Sequence, residues 1–94
     1  MYESIAPKPD LSPEELERAS LRLFLHHKLR LVESQLLDLA RRYGVKTVGE
    51  LDELIRSGRV HENEAFEDYF EFDHLEAKRE VLRESLMSVD GMVG

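Results

Sequence analysis

The feature that most limits the fold is the long stretch between Pro13 and Gly44, which contains no further glycine or proline. Ser12, Pro13 and Glu15 give it the start signal of a helix: a capping hydroxyl, a proline in the first helical position and a glutamate three residues after the cap. Gly44 can adopt the left-handed conformation that closes a helix. The sequence therefore predicts one helix over residues 13–43.

This predicted helix is too long to be enclosed by the rest of the chain. At about 1.5 Å per residue it extends about 45 Å, whereas a compact chain of 94 residues is roughly 30–35 Å across. The helix must therefore protrude, bend or be covered by another chain.

Apolar residues at alternating spacings of four and three form a seam along the second half of the helix. The seam consists of Leu25, Leu29, Val32, Leu36, Leu39 and Tyr43. Further apolar residues widen this surface beyond one stripe: Leu16, Leu21, Leu23, Phe24, Leu31 and Leu37. Two neighbours are implied, and we expect the seam to be an interface in a homodimer or a complex with another protein. The alternative is that the remaining helices of the same chain cover it.

One short helix, a short helical turn and a closing helix are predicted after Gly44. Thr47 and Glu50 repeat the capping box, and the apolar face that follows stops near Gly58. The aromatic residues after Asn63 have the spacing of a short helical turn, and Asp73 to Glu76 resembles a third cap. The final helix is expected to end before Gly91. It directs Leu75, Leu82, Leu86 and Val89 inward and Lys78, Arg79 and Arg83 outward.

The fold class that results is all-α: a long N-terminal helix with shorter helices folded back on it, as a helical hairpin or small bundle. No alternating strand pattern is present. We expect a single domain over residues 1–94, with flexible tails at about 1–11 and 90–94, and association into oligomers because so short a chain buries little surface alone.

Composition excludes several classes of protein. The chain has no cysteine, which removes disulfides and thiolate metal sites, and we expect a cytoplasmic protein. No apolar run approaches the roughly 18–20 residues of a membrane span. The net charge of -7 argues against direct nucleic-acid binding. Basic residues nevertheless dominate from Arg18 to Lys46, so this stretch either pairs with an acidic region or faces a different partner.

An acidic and aromatic segment over residues 62–76 contains no lysine or arginine. Clustered carboxylates repel one another unless a basic surface compensates them, and aromatic side chains gain most when they leave water. The segment therefore predicts a binding surface, with a packing element as the alternative. The residues expected to bind a partner are Phe66, Glu67, Asp68, Tyr69, Phe70, Glu71, Phe72 and Asp73.

Catalytic and metal-binding signatures are weak. The chain lacks a nucleophile elbow, a glycine-rich phosphate loop and a triad context, so we expect no enzyme, no catalytic residue and no cofactor. His26 and His27 point roughly 100° apart on a helix, unlike a pair that shares one ion. Glu71 and His74 form a single Glu-x-x-His pair, so we predict no metal site. Whether His26, His27 or His74 bind metal in an oligomer stays open.

The order of these elements resembles a group of small helical prokaryotic proteins, the antitoxin halves of toxin-antitoxin modules. The resemblance covers roughly residues 16–86 and rests on the following motifs: Ala40-Arg41-Arg42-Tyr43-Gly44, Val48-x-x-Leu51-x-x-Leu54-Ile55, and Glu67-Asp68-Tyr69-Phe70-Glu71-Phe72. It implies that the acidic aromatic segment occludes a basic, RNA-cleaving toxin, with aromatic anchors and carboxylates that meet lysines and arginines. The alternative function is a homo-oligomeric structural or adaptor protein. The identity of the partner, and whether the complex binds DNA, stay open.

Overall fold

The chain forms three helices in the order α1 (Pro13–Tyr43), α2 (Val48–Arg56) and α3 (Glu62–Val93). The computed structural model describes residues 12–93, with side chains over residues 12–91. No strand occurs in this part of the chain, which confirms the prediction of an all-helical fold. The predicted tail at residues 1–11 lies outside the described residues.

Both ends of α1 are set by the residues that the sequence indicated. The Ser12 hydroxyl accepts a hydrogen bond from the backbone N–H of Glu15 at 3.1 Å, and the Glu15 carboxylate accepts one from the backbone N–H of Ser12 at 2.8 Å. Gly44 ends the helix with φ of 69°, in the left-handed region that favours glycine. The predicted bounds of this helix are therefore confirmed.

The core lies between α1 and α3, which run antiparallel. The guanidinium of Arg22 near the start of α1 contacts Asp90 near the end of α3 at 2.9 Å, and Tyr43 at the end of α1 contacts Asp68 near the start of α3. The buried side chains between the two helices are Leu25, Val32, Leu36, Leu39, Phe72, Leu75, Leu82, Leu86 and Val89. Leu29 and Tyr43 pack against them, partly buried.

The assignment of the α1 seam to an oligomer interface is corrected by this packing. Four of the six seam residues are buried within the chain, and the other two, Leu29 and Tyr43, pack against the core partly buried. The chain itself therefore supplies the neighbour that the prediction assigns to a second protein. This is the alternative that the sequence left open. An interface between chains would have to use another surface.

Helix α2 packs its apolar face against the hairpin and is tied to α3 by a backbone contact. Leu51 is completely buried, and the Glu76 carboxylate accepts a hydrogen bond from the backbone N–H of Val48 at 3.0 Å. The predicted cap is half confirmed: the Thr47 hydroxyl accepts from Glu50, but the Glu50 carboxylate accepts from the backbone N–H of Lys46 and does not close the box.

The final region of the chain is one helix where the sequence predicted a short turn followed by a second helix. The predicted break at Asp73 is wrong, because no glycine or proline separates the aromatic segment from the closing helix. The helix also continues past Gly91 to Val93. Arg79 is corrected as well: it does not point outward but lies at the seam, partly buried, and its Nε is buried without a hydrogen-bond partner among the described residues. The four residues expected to face inward are all buried: Leu75, Leu82, Leu86 and Val89.

The molecule is elongated, with extents of 61 × 29 × 16 Å and a radius of gyration of 19.0 Å. A globular chain of the same length would have a radius of gyration of about 12 Å. Each long helix is therefore covered on one side and exposed on the other. Within the described residues, no helix combines the length and the apolar character needed to cross a membrane.

Candidate protein-binding surface

Two aromatic side chains of α3 project from the side of the helix that faces away from the core. Phe66 is 53% exposed and Phe70 is 54% exposed. They lie one helical turn apart, and their rings meet edge to face with centroids 4.8 Å apart. This contact orders the two rings but leaves more than half of each residue in water.

Carboxylates surround the aromatic pair. On a helix that turns 100° per residue, Glu62, Glu67 and Asp73 fall on the same outer side as Phe66 and Phe70. All three are exposed, and none has an ion-pair partner within 4.0 Å among the described residues. We call these five residues the acidic aromatic surface.

Helix α2 extends this surface by a shallow groove of about 160 Å³. The groove lies between the aromatic pair and the side chains of Asp52 and Ile55. Asp52 is already paired with Arg56 at 2.9 Å, one turn further along α2. The groove is lined by both apolar and acidic side chains and adjoins the acidic aromatic surface.

Asp68 does not belong to the exposed surface, because α1 engages it. The Tyr43 hydroxyl donates a hydrogen bond to its carboxylate at 2.6 Å, and Arg42 donates another to the same oxygen at 2.8 Å. The hydrogen bond from Tyr43 and the neighbouring Arg42 lower the pKa of Asp68, although burial opposes the shift. Burial and the hydrogen bond to Asp68 raise the pKa of Tyr43 to about 12. This cluster joins the end of α1 to α3.

Phe72 also leaves the predicted set of partner-binding anchors. Phe72 is 1% exposed and forms part of the core, so it cannot meet a partner. Tyr69 is half-buried: it packs against the core and also lines the groove beside Phe66 and Phe70. Of the eight predicted residues, five are exposed on α3: Phe66, Glu67, Phe70, Glu71 and Asp73. Four of these lie on its outer side, whereas Glu71 lies beside Arg42 and Asp68 in a depression between α1 and α3.

The basic stretch of α1 pairs with α3 at only a few positions. Arg42 meets Asp68 in the acidic segment, and Arg22 meets Asp90 far from it. A longer contact of 3.6 Å joins Arg83 to Glu33. The carboxylates of the acidic aromatic surface are therefore not compensated by the basic residues of α1.

Sequence reasoning missed the roles of Arg42, Tyr43 and Asp52. Arg42 and Tyr43 were assigned to the helix end and to the seam, whereas both bind Asp68 from the other helix. No local pattern marks such a contact, since it joins residues more than twenty positions apart. Among the described residues, no group of three or more histidine or acidic side chains is arranged to hold a metal ion.

Residues 1–93 match the sequence model of the uncharacterized protein MJ0235 family, so the chain belongs to that family. No curated protein matches the chain, and no solved structure matches it. The family description names no activity, ligand or partner.

Proposed function

We propose that this member of the uncharacterized protein MJ0235 family is a non-enzymatic protein-binding module, an antitoxin that neutralises a small basic toxin by occlusion. The observation that carries the proposal is the exposed Phe66–Phe70 pair among carboxylates that have no basic partner within residues 12–91. Large aromatic side chains lose most by staying in water, and aromatic residues are enriched at the centres of protein interfaces.

The chemistry of the surface favours a basic partner. Like-charged carboxylates around an apolar centre repel one another in the free protein, and lysines or arginines on a partner relieve that repulsion. An RNA-cleaving toxin carries such residues where it binds phosphates. The acidic aromatic surface would fill that groove, with the two phenylalanines as anchors and the carboxylates as charge partners.

The experiment is co-expression of the chain with the product of its adjacent gene, followed by calorimetric titration of the separated partners. We expect Phe66→Ala and Phe70→Ala each to cost about 2 kcal/mol of binding free energy, roughly thirtyfold in Kd. Met87→Ala is the matched control, because Met87 is 72% exposed on the same helix but lies far from the aromatic pair. Affinity should also fall as salt concentration rises.

A growth assay tests the neutralising activity itself. The adjacent gene product alone should impair growth, and co-expression of the wild-type chain should restore it. The Phe66→Ala/Phe70→Ala double variant should not restore growth, whereas Met87→Ala should. Restoration by the double variant at wild-type level would refute the assignment of this surface.

A second candidate function is a homo-oligomeric structural or adaptor protein. It is favoured by a separate observation: α1 exposes apolar side chains on the side that faces away from α3, including Leu23, which is 69% exposed. The two candidates are distinguished by light scattering on the purified chain with and without the adjacent gene product.

A further inference from the structure

Helix α1 has a second apolar face that no part of the described chain covers. Leu16, Leu23, Phe24 and Leu31 are 56%, 69%, 56% and 49% exposed. At 100° per residue they fall on the side of α1 opposite the seam. A helix that is apolar on both sides, with only one side packed, leaves a surface that gains free energy from a second contact.

The spacing of the residues on this outer face is the same in both directions. From the N-terminal end the exposed positions are Leu16, Glu17, Ser20 and Leu23, followed by Phe24, His27, Arg30 and Leu31. The spacings are symmetric about the point between Leu23 and Phe24. Two copies of α1 that meet in antiparallel orientation about this point place Leu16 level with Leu31, Leu23 level with Phe24, and the polar Ser20 level with His27.

We propose that this outer face of α1 binds the same face of a second copy of the chain and forms an antiparallel dimer with two-fold symmetry. The symmetric spacing permits an isologous contact, in which each residue meets its counterpart on an identical surface, and the charges beside the face favour it. This inference deepens the second candidate function and does not depend on the antitoxin proposal.

Charge complementarity supports the antiparallel register. Glu17 and Lys28 lie on the same flank of the face, close to opposite ends of it. In this register Glu17 of one copy is level with Arg30 of the other and lies within two residues, about 3 Å along the helix axis, of Lys28 on the same flank, and the two-fold axis repeats this arrangement. The Lys28 ammonium lies 5.9 Å from the centre of the Phe24 ring, so it already borders the apolar centre. A parallel pairing would instead place like charges level with each other.

The size of the face sets the strength expected of the dimer. Four apolar side chains per copy form a contact smaller than the roughly 800 Å² per partner of a stable interface. We therefore expect a reversible dimer whose population rises with protein concentration, in the micromolar range or weaker.

Sedimentation equilibrium on the full chain over a range of concentrations tests the proposal. Leu23→Glu places two new carboxylates at the centre of the contact and should raise the dimer Kd at least about a hundredfold. Val81→Glu is the matched control: Val81 is 59% exposed on the outer side of α3, and its variant should dimerise like the wild type. Circular dichroism verifies that both variants keep their helix content.

Reversal of the charge pair tests the register. Glu17→Lys and Lys28→Glu should each weaken the dimer, and the double variant should restore it, which a loss of folding would not produce. The chain has no cysteine, so a mixture of Leu16→Cys and Leu31→Cys chains should form the mixed disulfide on oxidation.

Four results of these experiments would overturn the dimer proposal. A wild-type chain that stays monomeric at millimolar concentration has no such dimer. An oligomer that Leu23→Glu does not weaken uses another surface, and this result would leave the second candidate function intact. A disulfide between two Leu16→Cys chains in preference to the mixed one would show a parallel contact. Loss of a complex with a different protein in the Leu23→Glu variant, without any self-association, would assign the face to that protein.

Discussion

Phe72 and Phe70 lie on different sides of α3, so substitution by alanine is expected to cost much more stability at Phe72 than at Phe70. Phe72 is 1% exposed between α1 and α3, whereas Phe70 is 54% exposed on the other side of the same helix. We expect Phe72→Ala to destabilise the fold strongly and Phe70→Ala to leave it nearly unchanged.

The magnitude follows from burial. Removal of a fully buried phenylalanine ring costs about 3–5 kcal/mol, which includes the cavity that remains. A chain of 94 residues has a total stability of roughly 5–14 kcal/mol, so this loss is a large share of the whole. Phe70→Ala loses only its edge-to-face contacts with Phe66 and Tyr69, about 1 kcal/mol.

Urea unfolding followed by circular dichroism measures both variants under the same conditions. The urea midpoint of Phe72→Ala should lie far below that of Phe70→Ala. In a thermal melt, the Tm of Phe72→Ala should fall by at least about 12 °C relative to the wild type. If Phe70→Ala cost as much stability as Phe72→Ala, the assignment of the two rings to opposite sides of α3 would be wrong, and so would the surface built on Phe70.

Four further predictions concern residues that shape or stabilise the hairpin. Tyr43→Phe should cost about 1 kcal/mol in urea unfolding, because Asp68 loses one of two hydrogen bonds. Since the pKa of Asp68 is lowered in the fold, its contribution is present above its ordinary pKa and is lost as pH falls through the lowered value, so Asp68→Asn should reduce the acid sensitivity of unfolding. Gly44→Ala should cost about 1 kcal/mol in thermal melts, since φ of 69° is strained for alanine even though nothing lies within 4 Å of an added Cβ. Arg79→Met should raise the free energy of unfolding by about 1 kcal/mol, measured by urea unfolding, because the buried Nε of Arg79 has no hydrogen-bond partner among the described residues.

Local signals in the sequence were sufficient to predict α1. Ser12, Glu15 and Gly44 act within a few residues of the helix ends, so their effect can be inferred without knowledge of the fold. Local signals do not identify the helix that covers the seam. The apolar spacing shows that a partner is needed, but the same spacing suits a second chain and a second helix of the same chain.

The sequence predicts a boundary at Asp73, where α3 is continuous, because Asp73 and Glu76 have the spacing of a helix cap. An acidic residue followed three positions later by a glutamate is a cap only where the backbone of the acidic residue itself is extended, and Asp73 lies inside the helix. Once the helix is continuous, Phe70 and Phe72 lie 200° apart and must occupy opposite sides. Which of the two sides is buried depends on the packing of α3 against α1, and local spacing does not reveal that packing.

The two proposed surfaces lie at opposite ends of the hairpin because its long helices are antiparallel. The outer face of α1 is centred on Leu23 and Phe24, in the half of α1 that lies near Asp90, whereas Phe66 and Phe70 lie near the end of α1 at Tyr43. A dimer through α1 would therefore leave both acidic aromatic surfaces accessible, one at each end. Each surface can be removed without the other: Leu23→Glu should abolish the dimer and retain partner binding, and the double alanine variant at the aromatic pair should do the reverse. If one substitution abolished both properties, the two surfaces would have to be parts of a single interface, which the separation along the hairpin argues against.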